Sequence, residues 1–220
     1  MIRIGMIVPA NNAALEYDMY RMAPENMSFH STRMPPAKGC EPEDAEAFRR
    51  QLLSAYRLLK RISMFVVYGR TYGTHKNIDI IKGVIGSKLI VPELAAKEFL
   101  NEFSLNSIWI GTPYIMERTV EESGYFERSG FNITGCGGLN KIFGLDISRT
   151  KSDEILKMLD KNRADIKNSS AIYIACTAMP SYNVLEKIHN EYNIPVISEN
   201  SAILWKISKM ANIKFKIPGI

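Results

Sequence analysis

No run in this chain approaches the roughly 20 consecutive apolar residues that a membrane span needs, although 46% of its 220 residues are hydrophobic. The apolar opening Met1–Pro9 is too short and too promptly broken for a secretory signal. Cysteine is scarce. Cys40, Cys136 and Cys176 make three, an odd count without CxxC spacing, which argues against a disulfide framework or a zinc site. These absences predict a reduced, cytoplasmic protein that does not engage a membrane. His30, His75 and His189 are scattered outside any metal-ligand pattern, so no metal is expected. No GxGxxG follows the first strand, and there is no P-loop or GxSxG. That removes nucleotide-binding Rossmann units, P-loop NTPases and serine hydrolases. The net charge of +5 is mild. Without an arginine-rich run, an RNA-binding aromatic motif or zinc-finger spacing, no nucleic-acid partner is expected. A basic bias can instead steer a small anionic substrate.

What the chain does have is one phrase said twice. Phe65-Val66-Val67-Tyr68 runs into Gly69-Arg70-Thr71, and Ile172-Tyr173-Ile174 runs into Ala175-Cys176-Thr177. Arg70 and Cys176 are 106 positions apart, the offset that also links Ile4-Gly5 to Ile110-Gly111 and Val91-Pro92-Glu93 to Ile197-Ser198-Glu199. A duplicated half predicts two related lobes. The first spans 1–105, to which a C-terminal helix at 202–212 can return, and the second spans 106–220.

Short apolar strands alternate with helical patterns throughout. Strands are expected at 2–8, 27–34, 64–68 and 88–91 in the first half. In the second half they are expected at 107–110, 131–134, 171–175 and 195–197. Asn12 can cap the helix carrying Leu15, Met19 and Met22. Phe48, Leu52, Leu53, Tyr56 and Leu59 share one face of a helix opened by Pro42-Glu43-Asp44. One helix is expected over 152–167, and Gly135-Cys136-Gly137-Gly138 reads as a turn. This alternation implies an α/β protein with parallel sheets, whose ligands bind beyond the carboxyl ends of the strands. Pro9-Ala10-Asn11-Asn12, Gly69-Arg70-Thr71, Gly111-Thr112-Pro113-Tyr114 and Ala175-Cys176-Thr177 all fall at that edge.

Cys176 is the chemical candidate. It follows a buried strand at a strand–loop–helix junction, where the amides of Thr177 and Ala178 are expected to favour thiolate. Arg70 occupies the corresponding place in the first half.

With these residues assembled, the chain resembles the aspartate/glutamate racemase superfamily, in the branch of maleate cis–trans isomerases and arylmalonate decarboxylases. The resemblance runs from about Arg3 to Ile213. It is carried by Arg3–Asn12 with Tyr20–Pro24, by Tyr68–Thr74, and by Ala175–Pro180 with Pro195–Trp205. It implies two pseudo-symmetric flavodoxin-like lobes with a small acidic substrate between them, no cofactor, and a possible homodimer. Racemases of the superfamily place one thiol on each face of the substrate carbon. Maleate isomerases use the first-lobe cysteine as a nucleophile, and arylmalonate decarboxylases keep only the second-lobe cysteine. Here Arg70 stands at the first-lobe position, and a guanidinium that stays protonated is neither base nor nucleophile. The resemblance therefore implies single-thiol acid/base chemistry on a small carboxylate or dicarboxylate, decarboxylase-like or isomerase-like, with Cys176 catalytic. The alternative is a degenerate relative that binds an anionic metabolite. By the same resemblance, Thr71, Tyr72, Tyr114 and Thr177 would cradle a substrate carboxylate. Asn12 and Asn140 match positions that hold substrate oxygens. Arg70 could clamp a second carboxylate.

Overall fold

The computed structural model describes residues 1–35 and 44–220. Cys40 and the expected Pro42-Glu43 helix opening lie outside the described residues. Asp44 does cap the following helix, its carboxylate accepting from the Glu46 amide.

The first half builds a four-stranded parallel sheet from β1 (Ile2–Pro9), β2 (Met27–Met34), β3 (Phe65–Tyr68) and β4 (Leu89–Ile90), in the order β2-β1-β3-β4. The second half repeats it with β5 (Ser107–Tyr114), β6 (Asn132–Lys141), β7 (Ala171–Ile174) and β8 (Val196–Ser198), in the order β6-β5-β7-β8. The interior strands β1 and β5 are almost wholly buried, as parallel sheets covered on both faces require.

The sequence offset survives in topology but slips in register. Ile4 pairs with Phe65, whereas Ala171, 106 residues beyond Phe65, pairs with Ile108 and not Ile110. The slip is two residues, which keeps every side chain on its own face.

The helices are α1 (Leu15–Met22), α2 (Ala45–Leu59), α3 (Ile78–Ile85), α4 (Pro92–Glu102), α5 (Met116–Arg128), α6 (Gly144–Ser148), α7 (Ser152–Lys161), α8 (Arg163–Ile166), α9 (Tyr182–Tyr192) and α10 (Glu199–Ala211). Pro92 opens α4 at a position where a missing amide proton is harmless. Helix α10 starts from β8 of the second sheet and packs on α4 and α1 from the first half. Ala202, Ile203, Leu204 and Ile207 are fully buried there. Asp18 of α1 reinforces the joint, accepting from the Ser181 amide and hydroxyl and from Asn200 Nδ2. None of the described helices is long and apolar enough to cross a membrane.

Three expectations are corrected. The glycine run 135–138 is strand, not turn, and β6 extends seven residues past its expected end at 134. Its glycines permit close approach. A Cβ on Gly137 would sit 2.9 Å from the Trp109 ring, and one on Gly138 would sit 2.5 Å from the Tyr114 carbonyl oxygen. Strand β5 likewise runs on to Tyr114 instead of ending at 110. The single helix expected over 152–167 breaks at Asn162 (φ −112°), whose Nδ2 donates to the Met158 carbonyl oxygen at 2.7 Å.

Candidate active site

The carboxyl ends of β1, β3, β5 and β7 open onto one cavity of about 150 Å³. Its wall includes Asn12, Arg70, Thr71, Tyr72, Tyr114, Cys176 and Thr177. Two features let the chains turn so tightly. Gly69 has no side chain where a Cβ would meet Leu15 Cδ2 at 2.5 Å. Cys176 itself sits at φ +87°, a left-handed conformation that costs a non-glycine residue about 1–3 kcal/mol and clusters at functional sites.

The Cys176 side chain is buried, with 8% of the residue exposed. Burial pushes its thiol up to about 12, more than offsetting the Tyr114 hydroxyl and the Ala178 and Met179 amides that donate to it. The buried Glu199 carboxyl pushes the same way. The thiolate expected from loop amides is therefore not the resting state. One of those amides is also engaged elsewhere, since Thr177 N–H donates to Thr71 Oγ1 at 3.1 Å. Tyr114 is held far above the ordinary tyrosine range, by burial first and then by its acidic neighbours. It remains a donor to the thiol.

Thr71 and Thr177 form a buried hinge pin between the two strand ends. Thr71 Oγ1 hydrogen-bonds to Glu199 Oε2. Thr177 Oγ1 donates to the Gly69 carbonyl oxygen at 2.9 Å and accepts from Asn12 Nδ2 at 3.1 Å. Asn12 Oδ1 in turn accepts from the amides of Ala14 and Leu15, securing the entry to α1. Glu199 is wholly buried in the first turn of α10, and its Oε1 accepts from the Tyr173 hydroxyl at 2.8 Å. Burial lifts its carboxyl to about 8.

The basic side of the cavity carries two guanidinium groups. Arg70 is half-buried and donates to the hydroxyl of Tyr68 at the end of its own strand. Arg118, from α5, lies 5.6 Å from the centre of the Tyr72 ring. The Tyr72 hydroxyl donates to Glu121, and its ring meets Tyr114 edge-on at 5.6 Å. Asn140 is not brought to this wall. It lies exposed one residue before the end of β6, at φ +57°. Cys136 lies half-buried within β6, away from the cavity wall. His75 stacks on Tyr125 at 4.3 Å and contributes nothing to the wall. Among the described residues no cluster of histidine, cysteine and carboxylate side chains could hold a metal.

Residues 93–220 match the family model for arylmalonate decarboxylase. The chain belongs to the arylmalonate decarboxylase family. The maleate isomerase of Geobacillus stearothermophilus is 25% identical, the match covering 99% of this chain and 94% of the relative. The solved maleate cis–trans isomerase of Nocardia farcinica, a cysteine-to-serine mutant with a covalently bound succinylcysteine intermediate, superposes with a TM-score of 0.84. It is 22% identical, and the match covers 99% of this chain and 96% of that one. An arylmalonate decarboxylase crystal structure gives a TM-score of 0.79 at 18% identity, covering 99% and 96%. Both structures share the fold described above, two parallel α/β lobes facing each other. The branch suggested by the motifs around Asn12, Arg70 and Cys176 is the one found.

Placed in the arylmalonate decarboxylase family, the site contains three features that the motifs did not single out. Glu199 falls within the repeat and within the Pro195–Trp205 stretch of the resemblance, but neither gives it a role in the site. Its contact with Thr71 spans 128 residues and leaves no local trace. Arg118 sits on a charged helix face that reads as solvated surface. Helix α6 has five residues, too few to show a period, yet its Gly144 and Ile147 line the cavity with Ile142.

Proposed function

We propose that this protein is a cofactor-free enzyme that acts on a small dicarboxylate, with Cys176 as the general acid. The observation that carries this reading is a buried thiol on a cavity of about 150 Å³ with guanidinium groups on its wall, and burial favours its protonated form. A single proton-transfer group suits decarboxylation. Loss of carbon dioxide breaks one carbon–carbon bond and leaves its electron pair as an enediolate on the retained carboxylate, so no base is needed. The S–H of Cys176 then delivers its proton to that carbon, and the thiolate regains one from water. Nucleophilic isomerisation would need a resting thiolate, which burial disfavours here.

In this reading the Thr71 hydroxyl supports the retained carboxylate, where negative charge grows. The Thr177 amide and the Tyr72 hydroxyl, committed to Thr71 and to Glu121, support this donor from behind instead of donating to the substrate, and Asn12 fixes Thr177 in place. Donors aimed at developing charge contribute about 3–4 kcal/mol each in well-studied sites. Tyr114 orients the thiol and stabilises the thiolate left after proton transfer. Arg70 and Arg118 draw the doubly charged substrate in. They serve the end that stays, because a guanidinium bound to the leaving carboxylate would slow its loss.

The test is turnover of malonates and maleate in deuterium oxide, followed by NMR beside Cys176→Ala. Carbon dioxide loss with one deuterium incorporated, reduced by about 10²–10⁴ in the mutant, is the expected outcome. Arg70 in place of a second thiol favours one other reading, a non-catalytic binder of an anionic metabolite. Retained ligand shifts with no turnover of any acid would establish that alternative.

A further inference from the structure

The Thr71 hydroxyl has one proton and more than one claimant. A threonine hydroxyl can donate once and accept twice. Thr71 Oγ1 already accepts from the Thr177 amide at 3.1 Å and lies against Glu199 Oε2, while the residue lines the cavity. An ionised Glu199 can only accept, so it captures the Thr71 proton. A protonated Glu199 reverses that bond. Its own O–H then fills the second acceptor position on Oγ1, and the hydroxyl proton is released toward the cavity. Tyr173 decides which carboxyl oxygen takes the proton. Its hydroxyl, kept a donor by burial, already donates to Oε1 at 2.8 Å, so the acid proton belongs on Oε2, the atom beside Thr71.

We infer that Glu199 is a positioning residue that frees the Thr71 hydroxyl for a substrate carboxylate only while Glu199 is protonated. This inference rests on the proposed role of Thr71 as a carboxylate donor.

The surroundings of Glu199 favour the protonated acid. Tyr173 of β7, Cys176 beyond it and Tyr114 of β5 face it, and all three hold their protons well into the alkaline range. Glu122 of α5 and Glu93 of α4 add further acidic pressure, both themselves raised by burial. His75 and Lys97 act on Glu93. Asp18 of α1 is occupied with the neighbouring Asn200 and with Ser181. Burial and this neighbourhood place the Glu199 transition near 8, so the acid form dominates at neutral pH.

Maleate binding, measured by isothermal titration calorimetry from about pH 6 to 9, tests this without requiring turnover. In the wild type, Kd should rise about tenfold between pH 7 and 9, as expected for one deprotonation that abolishes the competent form. Glu199→Gln, whose amide donates to Thr71 and still accepts from Tyr173, should show a flat profile. Thr71→Val should also be flat, at the weak level the wild type reaches at high pH. Glu122→Gln should keep the rise. A flat wild-type profile, a rise that persists in Glu199→Gln or Thr71→Val, or one abolished by Glu122→Gln would overturn the inference alone. If maleate, malonate and succinate all fail to bind at any pH, or if Thr71→Val binds like the wild type at pH 7, the carboxylate reading of the site falls, and this inference with it.

Discussion

The corners after β3 and β7 occupy the same place in two sheets of identical strand order, yet they are built for opposite tasks. At the β3 corner, Arg70 is half-buried and tied to Tyr68 on its own strand. At the β7 corner, Cys176 is withdrawn from water, bent to φ +87° and held neutral by its surroundings. One lobe presents a permanent charge and the other a proton. The same divergence recurs one helix further on. Glu93 and Glu199 each lie in the first turn of the helix after the fourth strand of their sheet. Glu199 has Thr71 and Tyr173 as partners, whereas among the described residues neither oxygen of the buried Glu93 has a hydrogen-bond partner. The His75 ring stands 3.8 Å from Glu93, too far for a hydrogen bond. The two halves thus share one frame and each buries an acid at the same place, but it is Glu199 of the second half that is bonded to the strand-end threonine of the site.

The strongest way to break this asymmetry is Arg70→Cys. A thiol at each corner would allow proton exchange at both faces of the substrate carbon. Racemisation of a 2-substituted monocarboxylate product should then appear, at least ~10²-fold above the wild type; chiral chromatography of enantiopure product would measure it. A variant with two thiols and no exchange would show that the corners are not functionally opposed.

Tyr114→Phe sharpens the comparison from the thiol side. Losing this side-chain donor to Cys176 should lower kcat by about 10–100-fold while KM changes little, because the interaction strengthens as the thiolate forms. Steady-state kinetics separate the two parameters.

Smaller effects should appear in stability. Glu199→Met leaves the Tyr173 hydroxyl without its partner and is expected to destabilise by about 1–3 kcal/mol. Glu93→Met removes an acid without a hydrogen-bond partner among the described residues and should be neutral or stabilising by about 1 kcal/mol. Urea unfolding of the pair reads both.

The pH dependence follows from the same burial. The folded-state pKa of Glu199 lies above its unfolded value, so the native state keeps a proton that the unfolded chain releases. Its stabilising contribution is full below about pH 4 and lost as pH rises to about 8. The urea midpoint should fall across that window, and fall less in Glu199→Gln.

Much of this was legible in the residues, for local reasons. Buried strands ending in Gly69-Arg70-Thr71 and Ala175-Cys176-Thr177 announce themselves because apolar runs and tight turns are written in neighbouring positions. Those two corners, with Asn12 and Tyr114, do converge on one cavity. The glycine strand 135–138 misled because glycine signals a turn locally. Neighbours distant in sequence, Asp165 beside Gly135, the Trp109 ring beside Gly137 and the Tyr114 carbonyl beside Gly138, explain why those three positions lack a side chain. The state of the thiol was illegible for a similar reason. Loop amides can be inferred from sequence, but the burial that overrides them is a property of the whole fold. Glu199 and Arg118 reach the site across long sequence separations, where no spacing rule applies.

Helix α10 carries one last consequence. Its chain leaves the second sheet and packs on α4 and α1 of the first, while Glu199 at its start grips Thr71. Prising the halves apart like a clam would tear out that helix and the buried pin in one motion. The cavity therefore has a doorway and no jaw. In the proposed reaction, traffic of substrate and carbon dioxide falls to the rim, where Arg118 and the half-exposed Ile142 stand, and the rate of product escape should depend on those two side chains more than on any movement of the lobes.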